Sequence, residues 1–457
     1  MKKNKQKALF KEKNEENFYL SSSKNKLIGK TSIPGDKSIS QRALIIALIS
    51  TGTTIIENIL DSEDVLHTRN AVNMLGANIK KNKNNFIKIN GIGLGNLISP
   101  IKPIYMGNSG TGTRLLIGLV AGSNATVTFY GDESLSNRPM SRIISPLKQM
   151  GAKFICNNGL KLPITVNGSL LNGFTLPITY TMPIPSAQVK SSIMLAALTG
   201  RGQTVVVEKK ETRNNTEVMF KDCGIKVESI KNKRNEKKII VSGTSYIHAK
   251  NIKVPGDPSS AAFLVVAAII TNNSDIVVEG VFYNKFRLKI FEVLKKMGAK
   301  IRIVKSKNQQ YCDIYAKYSK LKNININSCL NTALIDEFPI LSIAAACANG
   351  KMVMKRLEEL RYKESDRLKA IYEGLKKCGV KVINNSNDLT IYGNINIPGG
   401  CNINAEHDHR IAMSFNILSL ITKKPVLVNG NASIKTSFPN FFHYLSSLGA
   451  NVKYKNA

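Results

Sequence analysis

Six segments of the chain are apolar on nearly every side, the pattern of a buried helix and not of a surface one. They read SISQRALIIALI (38–49), GTGTRLLIGLVA (110–121), SAQVKSSIMLAAL (186–198), SSAAFLVVAAII (259–270), DEFPILSIAAACA (336–348) and DHRIAMSFNILSL (408–420). Each opens near a small or acidic polar residue, at Ser38, Thr111, Ser186, Ser259, Asp336 and Asp408. Between them run amphipathic stretches such as VLHTRNAVNML (65–75), FRLKIFEVLKKM (286–297) and DRLKAIYEGLKKC (366–378). Phrases of the type LGANI or MGAKF close these stretches, at Gly76, Gly151, Gly224, Gly298, Gly379 and Gly449. Glycine at such a position predicts a helix C-cap leading into a strand. β-rich runs (TVVVE, SDIVVEG, PVLVNG) supply the strands.

The glycines recur at intervals of 75, 73, 74, 81 and 70 residues, so the chain is a six-fold repeat with one buried and one outer helix per unit. The phrase PGDKSIS at 34–40 returns as PGDPSSA at 255–261, which is 221 residues later and close to three units. Two similar halves of three units follow: an N-terminal domain over 35–254, and a C-terminal domain over 255–457. Residues 24–34 are expected to join the C-terminal domain through a short strand around Ser23–Ser32. Residues 1–23, rich in Lys and Asn, read as a disordered tail.

Composition narrows the function classes. With 65 Lys+Arg against 31 Asp+Glu, the 457-residue chain carries a formal charge of +34. The surplus is mostly Lys scattered among Asn, there is no Trp, and no basic run is interleaved with aromatics that could stack on bases. No nucleic-acid partner is therefore expected. The longest apolar run, Ala261–Ile270, is about half of what spans a bilayer, so no membrane partner is expected either. Seven widely spaced Cys without a C-x-x-C, and no secretory or transit signal, point to a reducing, cytoplasmic setting.

The chemistry concentrates where the buried helices begin. A helix N-terminus presents unpaired N–H groups and partial positive charge, which suit phosphate or carboxylate. Ser, Thr and Asp there are also ordinary N-caps. Capping alone would not place Lys37, Arg42, Arg138 and Arg410 beside these starts, so an anion site is the better reading.

In order along the chain, PGDKSISQRA, GNSGTGTR, GDESLSNRPM, SAQVKS, DEFP, LRYKESDR and DHRIAMSF resemble 5-enolpyruvylshikimate-3-phosphate synthases, in wording closest to the bacterial class II branch. The similarity runs from about residue 24 to 455. It implies an α/β fold, a two-domain inside-out barrel of six βαβαββ units with the active site in the cleft between the domains. It also implies a reaction in which shikimate 3-phosphate and phosphoenolpyruvate give the enolpyruvyl ether and phosphate, without metal or organic cofactor. A monomer is expected.

Carried over residue by residue, the resemblance places Lys37, Arg138, Arg367 and Arg410 around phosphoenolpyruvate, against the loop of Asn108 and Gly110. Gln188 would touch both substrates, and His409 is read as a hydrogen bonder beside Arg410. Ser38, Arg42, Ser186, Ala187, Arg213 and Lys363 would hold shikimate 3-phosphate, together with Lys37 and Asp336. Paired Arg and Lys suit these dianions because Arg binds carboxylate and phosphate bidentately. In an addition–elimination, Asp336 is the candidate base on the attacking hydroxyl, and Glu364 with Lys37 the candidates for proton delivery and return at the methylene carbon.

Taken alone, Asp336 reads as a helix N-cap, Glu364 as a surface acid, and Arg367 as its i+3 partner. His407 and His409 lack a third metal ligand nearby. The family often has Arg-Asp-His-Thr-Glu where this chain has Arg213-Asn214-Asn215-Thr216-Glu217, and Lys435 falls out of the family's register before its Phe-Pro pair. Where relatives carry Ala at the position of Gly110, its methyl narrows the pocket against glyphosate, so this chain is expected to be glyphosate-sensitive. The rival reading is the enolpyruvyl transferase of UDP-N-acetylglucosamine, which uses a loop Cys; a basic nucleic-acid-binding protein is more remote. Closure of the two halves about Pro255 and residue 34 is expected on substrate binding.

Overall fold

The six glycine phrases each end a helix. Gly76, Gly151, Gly224, Gly298, Gly379 and Gly449 follow the helices Glu63–Met74, Ser141–Gln149, Asn215–Asp222, Lys289–Lys296, Arg367–Lys377 and Phe441–Ser447. Their φ values are +118°, +100°, +79°, +93°, +84° and +109°. A side chain with a Cβ pays about 1–2 kcal/mol in this left-handed region, which is why glycine turns the chain from helix to strand. The computed structural model describes residues 15–21, 25–81, 86–157, 159–232, 236–307 and 310–455.

The buried helices are Lys37–Ile49, Gly110–Ala121, Ala187–Ala197, Pro258–Ile270, Phe338–Ala346 and His409–Ser419. Their starts differ from the sequence reading by one or two residues, because the capping side chains are Asp36, Ser186, Asp257 and Asp408. The fifth helix begins at Phe338, with Glu337 at its cap position and no side-chain cap hydrogen bond. Asp336 is thus not an N-cap. In Pro258–Ile270 every residue is buried, the outcome its all-round apolar pattern requires.

The chain divides into two units, one of residues 35–254 and the other of the residues up to Pro34 with those from Pro255 on. The first holds three four-stranded sheets. Each joins a short parallel strand to a central strand that continues antiparallel into a hairpin: Ile104–Tyr105, Thr126–Tyr130, Lys161–Asn167 and Lys153–Asn157 form one example. The core helices touch closely. A Cβ on Gly118 would lie 2.5 Å from Ser192 Cα, so glycine lets the helices Gly110–Ala121 and Ala187–Ala197 meet backbone to backbone.

In the second unit the strand Ile28–Ser32 forms an edge of a four-stranded sheet, pairing in parallel with the interior strand Asp275–Phe282. The strand Ile252–Lys253, just before the boundary at Pro255, pairs in parallel with Thr51–Glu57 and belongs with it to the unit of residues 35–254. The last repeat departs from the rest. Its strands Asn402–Asn404 and Leu427–Asn429 pair alone, and Val452–Tyr454 pairs antiparallel with Phe18–Leu20. Within the residues 1–23 read as a disordered tail, Glu15–Leu20 instead forms a 3₁₀ turn and a strand, because Phe18 and Leu20 alternate with Tyr19 and bury against the core. Residues 1–14 and 22–24 lie outside the described residues.

Candidate active site

The predicted site residues fall into two clusters, one in each unit. In the unit of residues 35–254, Lys37 opens the first buried helix and its Nζ donates to Asp64 Oδ2 at 2.8 Å. Both side chains are largely buried, so Asp64 holds the ammonium in place while neutralising part of its charge. Arg42, one turn on, donates from Nε to Thr216 Oγ1 at 2.7 Å and from Nη2 to Ser191 Oγ at 3.0 Å. Its Nη1 reaches the carbonyl of Ser38, four residues back. Asp36, not Ser38, accepts the helix N–H, which leaves Ser38 a half-buried hydroxyl at the helix start.

The loop before the second buried helix is tied from below: Gln41 Nε2 donates to Ser109 Oγ at 2.7 Å. Asn108 Oδ1 accepts from Arg138 Nη2. Gly110 faces two guanidiniums, since a Cβ there would stand 2.8 Å from Arg138 Nη1 and 3.2 Å from Arg114 Nη1. Gln188, in the first turn of the third buried helix, accepts from Arg114 Nη1 at 2.8 Å and donates to Thr111 Oγ1 at 2.9 Å. Ser186 caps that helix through Val189 N, and Ala187 follows half-buried. Arg213, half-buried, sits in the turn before the helix Asn215–Asp222.

In the other unit Arg367 is the centre. It is 1% exposed and donates from Nε to Asp408 Oδ2 at 2.7 Å and from Nη1 to Asp336 Oδ1 at 3.3 Å, while Nη2 reaches Glu364 Oε2. Burial alone would lower its pKa, but Asp408, Glu364 and Asp336 outweigh burial and hold the guanidinium above its ordinary value. Lys363 Nζ lies 3.4 Å from the same Asp336 oxygen. Arg410 Nη1 donates to the Asp336 carbonyl at 2.7 Å. His409 is buried, with Thr436 Oγ1 3.5 Å from Nδ1. The Asp336 carboxylate thus faces Lys363 and Arg367, while Arg410 holds its backbone carbonyl.

The pairing of Arg367 with Glu364 at i+3, read from sequence as an alternative to substrate binding, is present. Sequence reasoning missed four members. Asp64 has no motif of its own. Arg114 carries no assignment from the sequence, although it lies four residues after Gly110 on the same helix face. Asp408 was read only as a helix opener, and Glu337, buried and accepting from Ser259 Oγ, as nothing in particular. Lys435 is in the last turn of the 3₁₀ helix Asn431–Thr436. Among the described residues no three His, Cys, Asp or Glu are grouped to hold a metal, and no single helix is long and apolar enough to cross a membrane.

Comparison with known proteins identifies the family. The sequence profile of EPSP synthase (3-phosphoshikimate 1-carboxyvinyltransferase) matches residues 22–445. The chain is 43% identical over 428 residues to the 3-phosphoshikimate 1-carboxyvinyltransferase of Parvibaculum lavamentivorans, covering 93% of this chain and 94% of that one. It is 43% identical over 432 residues to that of Zymomonas mobilis, with the same coverage. The solved EPSP synthase of Acinetobacter baumannii superposes with a TM-score of 0.83 at 37% identity, over 96% of this chain and 99% of the other. The enolpyruvyl transferase NikO of Streptomyces tendae shares the fold, at a TM-score of 0.74 and 13% identity over 96% and 99% of the two chains. With the profile spanning both units and relatives this similar along their full length, the chain belongs to the EPSP synthase family.

Proposed function

We propose that the protein transfers the enolpyruvyl group of phosphoenolpyruvate to the 5-hydroxyl of shikimate 3-phosphate and releases phosphate, the shikimate-pathway step toward aromatic amino acids. The observation that carries this reading is the concentration of Lys37, Arg42, Arg138, Arg367 and Arg410 in the two clusters. All five are anchored by carboxylates, hydroxyls or carbonyls in one orientation. Two substrates that bear a phosphate and a carboxylate each need such a set, and its fixed donors remove the cost of organising charge during the reaction.

Shikimate 3-phosphate is assigned to Ser38, Arg42, Ser186, Ala187, Gln188, Arg213 and Lys363. Phosphoenolpyruvate is assigned to Asn108, Gly110, Arg138, Gln188, Arg367, His409 and Arg410, with Lys37 serving both. Asp336 takes the hydroxyl proton as oxygen attacks C2. Lys37 or Glu364 protonates the methylene carbon, and the second step reverses that transfer as the C–O bond to phosphate breaks. Lys37 is held in place for this transfer by its ion pair with Asp64 at 2.8 Å.

The test is phosphate release by the purified chain without added metal. Release that requires both substrates, and that falls by orders of magnitude in Asp336→Ala, supports the reading. Release with UDP-N-acetylglucosamine in place of shikimate 3-phosphate would move the substrate and keep the chemistry. A thiol-alkylating reagent separates the two independently, because no Cys is assigned a role; burial pushes the Cys312 and Cys347 thiols up to about 12.

A further inference from the structure

Beneath Arg42 lies a charged group that the assignments above do not use. Lys190 is the only charged residue of the helix Ala187–Ala197, and it is completely buried. Its Nζ is 2.6 Å from Glu217 Oε1 and 3.1 Å from Glu208 Oε1, and both carboxylates are buried as well. The second oxygens of Glu208 and Glu217 accept no hydrogen bond among the described residues. Replacing such a trio with apolar side chains is commonly neutral or stabilising, so its presence calls for a reason other than stability.

The neighbours of the three residues supply one. Ser191 follows Lys190 and Thr216 precedes Glu217; the two hydroxyls are hydrogen-bonded to each other at 2.7 Å. Both accept from Arg42, on Nη2 and Nε respectively. Glu208 Oε1 accepts from Thr212 Oγ1, the residue before Arg213. Each arm of the trio therefore ends one residue away from Arg213 or from a group that aims Arg42. We infer that Lys190 is a positioning residue for the phosphate of shikimate 3-phosphate: it fixes the strand end at Glu208 and the helix start at Glu217, and so sets the orientation of Arg42 and Arg213. The inference rests on the assignment of those two arginines to shikimate 3-phosphate.

The experiment is steady-state kinetics on the full chain for Lys190→Met, for Arg42→Ala, and for the neutral triple variant Lys190→Met/Glu208→Gln/Glu217→Gln. The triple variant buries no unpaired charge, so it keeps the test open if Lys190→Met alone does not fold. The expected result is a rise of about tenfold or more in the KM for shikimate 3-phosphate, with the KM for phosphoenolpyruvate and kcat within about twofold, because only orientation toward one substrate is lost. On an Arg42→Ala background the triple change adds much less than it does alone, because the two act through one group. A folded triple variant with both KM values at wild-type level overturns the inference, and so does an equal loss toward both substrates. If Arg42→Ala itself leaves the KM for shikimate 3-phosphate unchanged, the assignment of Arg42 fails and the inference falls with it.

Discussion

A methyl group on Gly110 would stand 2.8 Å from the Nη1 atom of Arg138, inside the distance at which either group must move. Arg138 is 8% exposed and its guanidinium already donates to Asn108, so it has little room to retreat. Gly110→Ala should weaken phosphoenolpyruvate binding and weaken glyphosate binding more, because the inhibitor is the longer molecule. The wild-type enzyme is expected to be glyphosate-sensitive, and inhibition curves for wild type and variant check both statements. Full wild-type activity in millimolar glyphosate would refute the expected sensitivity.

Arg367 and Asp408 form a pair with neither side chain in contact with solvent. Breaking such a pair leaves one charge buried without its partner, at a cost of about 3–5 kcal/mol. Asp408→Ala should show that loss in urea unfolding, together with loss of the helix cap on Arg410 N. A change below about 1 kcal/mol would mean that Glu364 and Asp336 suffice to hold the guanidinium.

Burial pushes the Glu208 carboxyl above its ordinary value of 4.5, against the lowering effects of Lys190 and Thr212, and Glu217 adds to the rise. The folded state then binds this proton more tightly than the unfolded chain does. The stability it contributes is complete below 4.5 and is lost as pH rises through the folded value. Glu208→Gln lacks that loss. Its melting temperature should therefore gain on the wild type as pH is raised from 4.5, and a constant difference across the range would contradict the raised pKa.

Phe18 packs its ring 5.5 Å from that of Phe442 and 5.2 Å from that of Tyr454. Phe18→Ala should cost about 3–5 kcal/mol, the range for a fully buried phenylalanine. A disordered tail would predict no change, so thermal unfolding decides between the two. Glu16→Ala should add a smaller loss, because its carboxylate accepts from the N–H groups of Gly430 and Ala432.

The repeat was legible because it is written in local physics. Glycine is needed wherever a helix must end left-handed, and all-round apolar runs have no choice but burial; both signals survive without any knowledge of partners. The candidate site was legible at its helix starts, where Lys37, Arg42, Gln188 and Arg410 follow recognisable phrases. It was not legible where a partner comes from a remote segment without a phrase of its own. Asp64 meets Lys37 from the next helix, and the Lys190 trio joins a helix, a strand end and a second helix. Nor could local pattern show that Phe18–Leu20 is a strand, since three residues in a Lys- and Asn-rich stretch carry too little alternation to stand out.

That strand bears on how the chain is made. Residues 35–254 contain every strand of their three sheets and can complete their pairing as soon as they are synthesised. The other unit cannot. Ile28–Ser32 must wait for Asp275–Phe282, and Phe18–Leu20 must wait for Val452–Tyr454, with Asn17 and Tyr454 separated by 437 positions. Contacts this distant carry the largest loop-closure cost and form last. The apolar face of Phe18 and Leu20 thus leaves the ribosome long before its partner strand is made and is among the last to find its place, a long window in which it stays open to non-native contacts.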